Sequence, residues 1–195
     1  MHGLINRSLQ CFLRDTFGQS AWVTIARDAG MQFDSFEAML CYDSALTDAV
    51  INSASRHLNR PRDAVLEDLG TYLVSHPNVE ALRRLLRFGG VTFLDFLNSV
   101  EDLPGRGRMA VPDLDLPSFT LTEIGGDQFL LTCQAPLLGS GHVMLGLMRA
   151  MADDYGALVV LDHRGQQGGA EVIGVHILEQ SFASGRRFDL AEKVQ

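Results

Sequence analysis

The sequence is sparing with the residues that build stapled, metal-clustered or strongly basic proteins. Its three cysteines, Cys11, Cys41 and Cys133, are odd in number and far apart, which argues against a disulfide framework and offers no Cys-x-x-Cys pair for zinc. Buried thiols in a reducing cytoplasm are the expectation. Lysine and arginine number 16 against 24 acidic residues, a net charge of −8, so no nucleic-acid partner is expected: neutralising phosphates needs a basic surface. No apolar run approaches the roughly 18 residues of a membrane-spanning helix, so no membrane partner is expected either. The opening MHGLINRSLQCFLRDTFG carries Arg7, Arg14 and Asp15 and lacks the apolar stretch and small-residue cleavage site of a secretion signal.

The motifs of catalysis are missing as well. There is no Gly-x-Ser-x-Gly, Walker loop or dinucleotide fingerprint, and Gly139-Ser140-Gly141 reads as a strand-to-helix turn. The six histidines, at 2, 57, 76, 142, 163 and 176, show no His-x-x-x-His or His-x-x-Glu spacing, so no zinc site is expected. Glu101 and Asp102 are neighbours on a helix, where adjacent side chains do not face each other, and read as a solvated face. His142 reads as a cap or surface residue opening a helix, and His163 and Asp162 as turn residues. Nothing assembles a nucleophile, a base and an oxyanion hole. The chain is not expected to be an enzyme.

What is present is a change of period at mid-chain. Apolar residues recur at helical spacing over 3–17, 20–29, 43–58, 61–75, 79–88 and 91–103, giving six helices. Pro61 suits a first turn, Gly18 and Gly30 suit stops, and Leu103-Pro104-Gly105 reads as the end of the sixth helix. In the fifth, Leu82, Leu85 and Leu86 are expected inside and Arg83, Arg84 and Arg87 on a basic outer side. The second half alternates instead. SFTLTEI and QFLLTCQA are strands around a Gly125-Gly126-Asp127 turn, a helix follows over about 142–155, and ALVVLDHR and AEVIGVHILE are two further strands around RGQQGG. Helices followed by a four-stranded antiparallel sheet with one inserted helix define an α+β layout. We expect one domain over 1–195: a helical part (1–90), a sixth helix plus sheet (91–180), and a polar tail (181–195).

MHGLINR, ASRHLNRPRDAVLEDLGTYLV, FLDFLNSVEDLPGR, VPDLDLPSF and VMLGLMRAMADDYG occur in an order that resembles the heme-nitric oxide/oxygen-binding (H-NOX) family, from Met1 to about Leu178. The resemblance implies the same fold, with heme between the two parts. It also implies an axial histidine on the sixth helix in a pattern like FLxNLDxLHxR. Aligning Phe96-Leu97 and Arg106 puts Pro104 at that histidine's place.

The family's Tyr-x-Ser-x-Arg clamp for the heme propionates falls on Leu131, Cys133 and Ala135 when counted without a gap. Registered on Gly139 it falls on Cys133, Ala135 and Leu137. Pro117 matches the proline that presses on the porphyrin, and Ile5, Leu9, Leu145 and Leu147 are expected to line the apolar interior. His142 and Cys133 stand as substitute iron ligands.

The resemblance implies a cytoplasmic regulatory domain whose heme binding is lost or altered. It would control a separate signalling protein, a histidine kinase or cyclic-dinucleotide enzyme, with Arg83, Arg84, Arg87, Arg106 and Arg108 as docking residues. The alternatives are a nitric oxide sensor using a substitute ligand, and a carrier of another apolar ligand.

Overall fold

The computed structural model describes residues 1–188; residues 189–195 of the expected tail lie outside them. Four helices come first: α1 (Gly3–Phe17), α2 (Gln19–Asp28), α3 (Ser44–Leu58) and α4 (Arg62–Ser75). His2 starts α1, its Nδ1 accepting from Leu4 N at 3.1 Å, and Asp43 caps α3 through Ala45 N. Pro61 sits at the N-cap of α4, one residue ahead of the expected first turn. These four helices share one apolar core, which includes Leu9, Phe12, Trp22, Phe36, Ile51 and Leu66.

After a 3₁₀ turn over Pro77–Val79 come α5 (Glu80–Arg87) and α6 (Phe93–Asn98), the latter opened by a reciprocal Thr92/Asp95 capping box. The expected helix over 91–103 is in fact three pieces. After α6 the chain tightens into a 3₁₀ turn, Val100–Asp102, and then begins α7 (Leu103–Ala110). Pro104 therefore opens a helix rather than closing one. In a first turn its missing N–H breaks no intrahelical bond, and its fixed φ suits the helix. The extended, proline-spaced segment begins only after Ala110, where Leu114 and Leu116 fold back against Gly107.

The sheet comprises β1 (Ser118–Gly125), β2 (Gln128–Gln134), β3 (Leu158–Gln167) and β4 (Ala170–Glu179), all antiparallel in the order β1-β2-β4-β3. Gly126 and Asp127, both at positive φ, form the β1–β2 turn as expected. Helix α8 (Ser140–Tyr155), inserted between β2 and β3, packs on the sheet on one side and on α4 on the other. Phe93, Phe96, Leu131, Met148, Met151 and Ile173 form the fully buried heart of this second core. Burying each such phenylalanine contributes roughly 1.5–3 kcal/mol.

The two cores meet where α4 crosses α8. A Cβ on Gly70 would overlap Val143 O, and one on Gly146 would overlap Glu67 O, so the helices touch backbone to backbone. Among the described residues no helix is long and apolar enough to cross a membrane.

Candidate functional site

The residues expected to line one pocket divide between the two cores. Leu9 belongs to the helical core, whereas Leu145 and Leu147 belong to the core beneath the sheet. Ile5 and Pro117 are half-buried. At the junction between the parts, α4 and α8 touch backbone to backbone at Gly70 and Gly146, and Leu131, Met148 and Phe96 are fully buried beneath the sheet. Pro104 is buried.

Cys133 is also fully buried. Burial, reinforced by the neighbouring Glu171 carboxylate, pushes its thiol up to about 12, so the thiolate that a metal takes is disfavoured at neutral pH.

The start of α8 holds what sequence spacing did not reveal. His163 lies on β3 rather than in a turn, and its ring stacks on that of His142 with centroids 4.0 Å apart and planes at 12°. Glu171 of β4 joins them: its Oε1 lies 3.5 Å from His163 Nε2, and its Oε2 accepts from Gly141 N at 2.7 Å. On the far side of His142, Glu67 Oε1 lies 3.2 Å from Nδ1 and Asp63 Oδ2 lies 3.6 Å from Nε2. Arg149 in turn holds Glu67 at 3.1 Å. Residues about 100 positions apart thus form one cluster. The only hint in the sequence was Glu171, an acidic residue opening the apolar run AEVIGVHILE, which a buried strand has to pair.

The other end of α8 corrects a second expectation. Arg83 and Arg87 do not form an exposed basic side: both turn inward to Asp154, whose side chain has no exposed area. Arg83 Nε donates to Asp154 Oδ1 at 2.9 Å, and its Nη1 and Nη2 donate to Glu80 Oε1 and Arg187 O. Burial opposes the charge on Arg83, but the bonds to Asp154 and Glu80 outweigh it and raise the pKa. Arg87 lies 3.8 Å from the centre of the Tyr155 ring. Leu85, expected inside, is 38% exposed in their stead. A run of leucine and arginine cannot reveal that a carboxylate 71 residues away would pull two guanidinium groups inward.

The segment 183–188, expected as polar tail, is drawn into the same contact. Ala183 N donates to Gly156 O and Arg186 N to Asp154 O, and Arg87 stacks over Phe188. Arg106 is likewise engaged, donating to Ser99 O at 2.8 Å, and it sits with Arg108 on α7 rather than in a loop. Glu101 is more than a solvated face: it accepts from Leu121 N at 2.6 Å and so ties β1 to the 3₁₀ turn.

Helices followed by a four-stranded antiparallel sheet with one inserted helix define a two-part α+β fold. The sequence profile of the Haem-NO-binding family matches residues 2–163, and the chain belongs to that family. Its structure is similar to that of a triple mutant of the H-NOX protein from S. oneidensis in the Fe(II) ligation state, with a TM-score of 0.79 at 16% identity, covering 93% of this chain and 98% of that one. The Fe(II) unliganded H-NOX protein from K. algicida is similar too, with a TM-score of 0.77 at 16% identity over 94% of this chain and 100% of that one.

Among curated proteins the chain is 21% identical over 155 residues to soluble guanylate cyclase 89Db of Drosophila melanogaster, covering 80% of this chain and 23% of that protein. It is 23% identical over 154 residues to soluble guanylate cyclase gcy-31 of Caenorhabditis elegans, covering 79% and 22% respectively. The chain thus spans less than a quarter of the length of these relatives.

Proposed function

We propose that this chain is a regulatory domain that controls a separate signalling protein, and that it does so without heme held in the manner of its family. Pro104 is the observation that carries this reading. Aligned with the family's axial histidine, it has no lone pair to give iron, whereas imidazole, thiolate and phenolate do. The matching clamp positions are Leu131, Cys133 and Ala135 in one register and Cys133, Ala135 and Leu137 in the other. None supplies a guanidinium, and two buried propionates left unpaired would cost several kcal/mol. The close approach of α4 to α8 and the buried side chains between α8 and the sheet support the same conclusion.

The substitute ligands fare no better. Cys133 is enclosed, and His142 packs face to face on His163 while engaging Glu67. The residues present do not fit heme held this way. Control of a signalling activity that lies outside this domain is supported by the guanylate cyclase relatives, in which the matched part is under a quarter of the whole. A histidine kinase or cyclic-dinucleotide enzyme is the partner class this reading favours.

Titrating purified protein with hemin and following the Soret band tests the reading. We expect no saturable one-to-one band in the natural sequence and only a modest gain in Pro104→His, because the clamp is still missing. A full one-to-one band in the natural sequence would overturn the heme-free reading. A full band in Pro104→His alone would show that the clamp counts for little.

A further inference from the structure

We propose that His142, His163 and Glu171 form a binding site for a first-row divalent cation, with zinc as the expected occupant. The inference does not depend on the loss of heme. One ligand atom from each of the three residues lies within 4.8 Å of the others, and all three side chains are largely shielded from water. A tetrahedral zinc with bonds near 2.0–2.1 Å needs its ligand atoms about 3.3 Å apart, a distance that small side-chain rotations can reach. Two imidazoles and a carboxylate are a donor set that suits zinc and its neighbours rather than calcium or magnesium.

Four features point to a ligand rather than a chance contact. His163 Nε2 is buried and has no hydrogen-bond partner, and it faces Glu171 Oε1 at 3.5 Å. Leaving a buried nitrogen without a partner is destabilising. Glu171 is already oriented by the Gly141 N–H at the start of α8. Glu67 faces His142 Nδ1 as carboxylates do behind metal-bound histidines; with the proton on Nδ1, Nε2 offers its lone pair, and Asp63 Oδ2 lies 3.6 Å from it. The local charge is also negative. Asp63, Glu67 and Glu171 surround two imidazoles, and Arg149 is the cation paired with Glu67.

A groove of about 120 Å³ lined by Glu171, Gln166, Gly169 and Cys133 leads to the cluster and supplies a path for the ion and a water as fourth ligand. One bond has to yield. Gly165 N donates to His163 Nδ1 at 3.2 Å, and metal at Nε2 would put the proton on Nδ1. Gly165 lies at positive φ beside the irregularity in the β3–β4 register, where the backbone can turn away.

Such an ion would join α8, β3 and β4 directly and α4 through Glu67, bracing the junction between the two parts. The test uses full-length protein stripped with a chelator. It is titrated with Co²⁺, whose ligand-field absorption reports the donor set, and with Zn²⁺ by calorimetry. The expected result is one saturable equivalent of either ion, with a Zn²⁺-dependent rise in the melting temperature. His163→Ala and Glu171→Gln should abolish both signals, while Glu67→Gln should weaken binding roughly 10- to 100-fold. His57→Ala, at a histidine outside the cluster, should change nothing.

Urea unfolding of the metal-free ligand variants, expected to match that of the natural sequence, guards against misfolding. Gly141→Ala keeps every ligand but places a methyl 2.8 Å from Glu171 Cβ and 2.9 Å from His163 Nε2, and it should also prevent binding. No saturable binding by the natural sequence, or unchanged binding by His163→Ala, would overturn the proposal.

Discussion

The two ends of α8 solve opposite problems with charged side chains. At its C-terminal end, Asp154 is buried and gathers Arg83, Arg87 and Arg186 from two distant segments, so the carboxylate is more than matched by cation. At its N-terminal end, three carboxylates gather around two stacked imidazoles, and one imidazole nitrogen has no partner. The first end is a closed fastening that ties α5 and the segment 183–188 to the helix. The second has donor capacity to spare. A buried carboxylate surrounded by cations belongs to stability even where single atoms such as Asp154 Oδ2 and Arg87 Nε lack a hydrogen bond, whereas an excess of carboxylate around two imidazoles points to a cation.

Breaking the fastening should have the largest effect. Asp154→Asn removes the buried anion shared by Arg83 and Arg87, leaving Arg83 only the more exposed Glu80, and is expected to cost about 3–5 kcal/mol, measured by urea unfolding of the cooperative transition. A loss below 1 kcal/mol would mean that the arginines escape to water and the fastening is not structural. Between the two ends, Gly146→Ala drives a methyl into the backbone of α4. It should cost about 1–3 kcal/mol in the same assay, or more if the crossing cannot slide.

His142→Ala, at the open end, should change stability by less than about 1 kcal/mol in metal-free protein, because partly exposed ion pairs contribute little. An equal loss for His142→Ala and Asp154→Asn would erase the distinction between the two ends.

Acid sets a smaller contrast, away from α8. Burial opposes ionisation of Asp15, but hydrogen bonds from Asn78, Tyr72 and Arg14 outweigh it and hold its carboxyl below the usual carboxylate range. A depressed folded pKa contributes stability that is complete above the unfolded value and is lost as pH falls through the folded one. Stability should therefore drop as the pH falls below about 4. The slope of that drop should be shallower in Asp15→Asn, as melting curves across the acid range would reveal.

Periodicity was enough to read the architecture. The first five amphipathic helices and the strands around Gly126-Asp127 stand where their patterns put them. Local rules failed where a distant partner decided the outcome. Arg83 and Arg87 look like a solvated stripe until Asp154 is brought beneath them, and His163 looks like a turn residue until β4 sets it against Glu171. Pro104 failed differently. Both readings of a proline near a helix boundary are physically sound, and only the break at Ser99 makes it a start rather than a stop. The metal cluster was illegible for a related reason: its ligands come from a helix and two strands, so no spacing along the chain encodes it.

The central claim is that the family fold persists here without the family's heme. The most direct measurement is the absorption spectrum of full-length protein purified after expression with ample heme, normalised to protein concentration. We predict at most a weak Soret band, far below one heme per chain, and no ferrous–NO spectrum of the histidine-ligated kind. A sharp Soret band at one heme per chain would contradict the account.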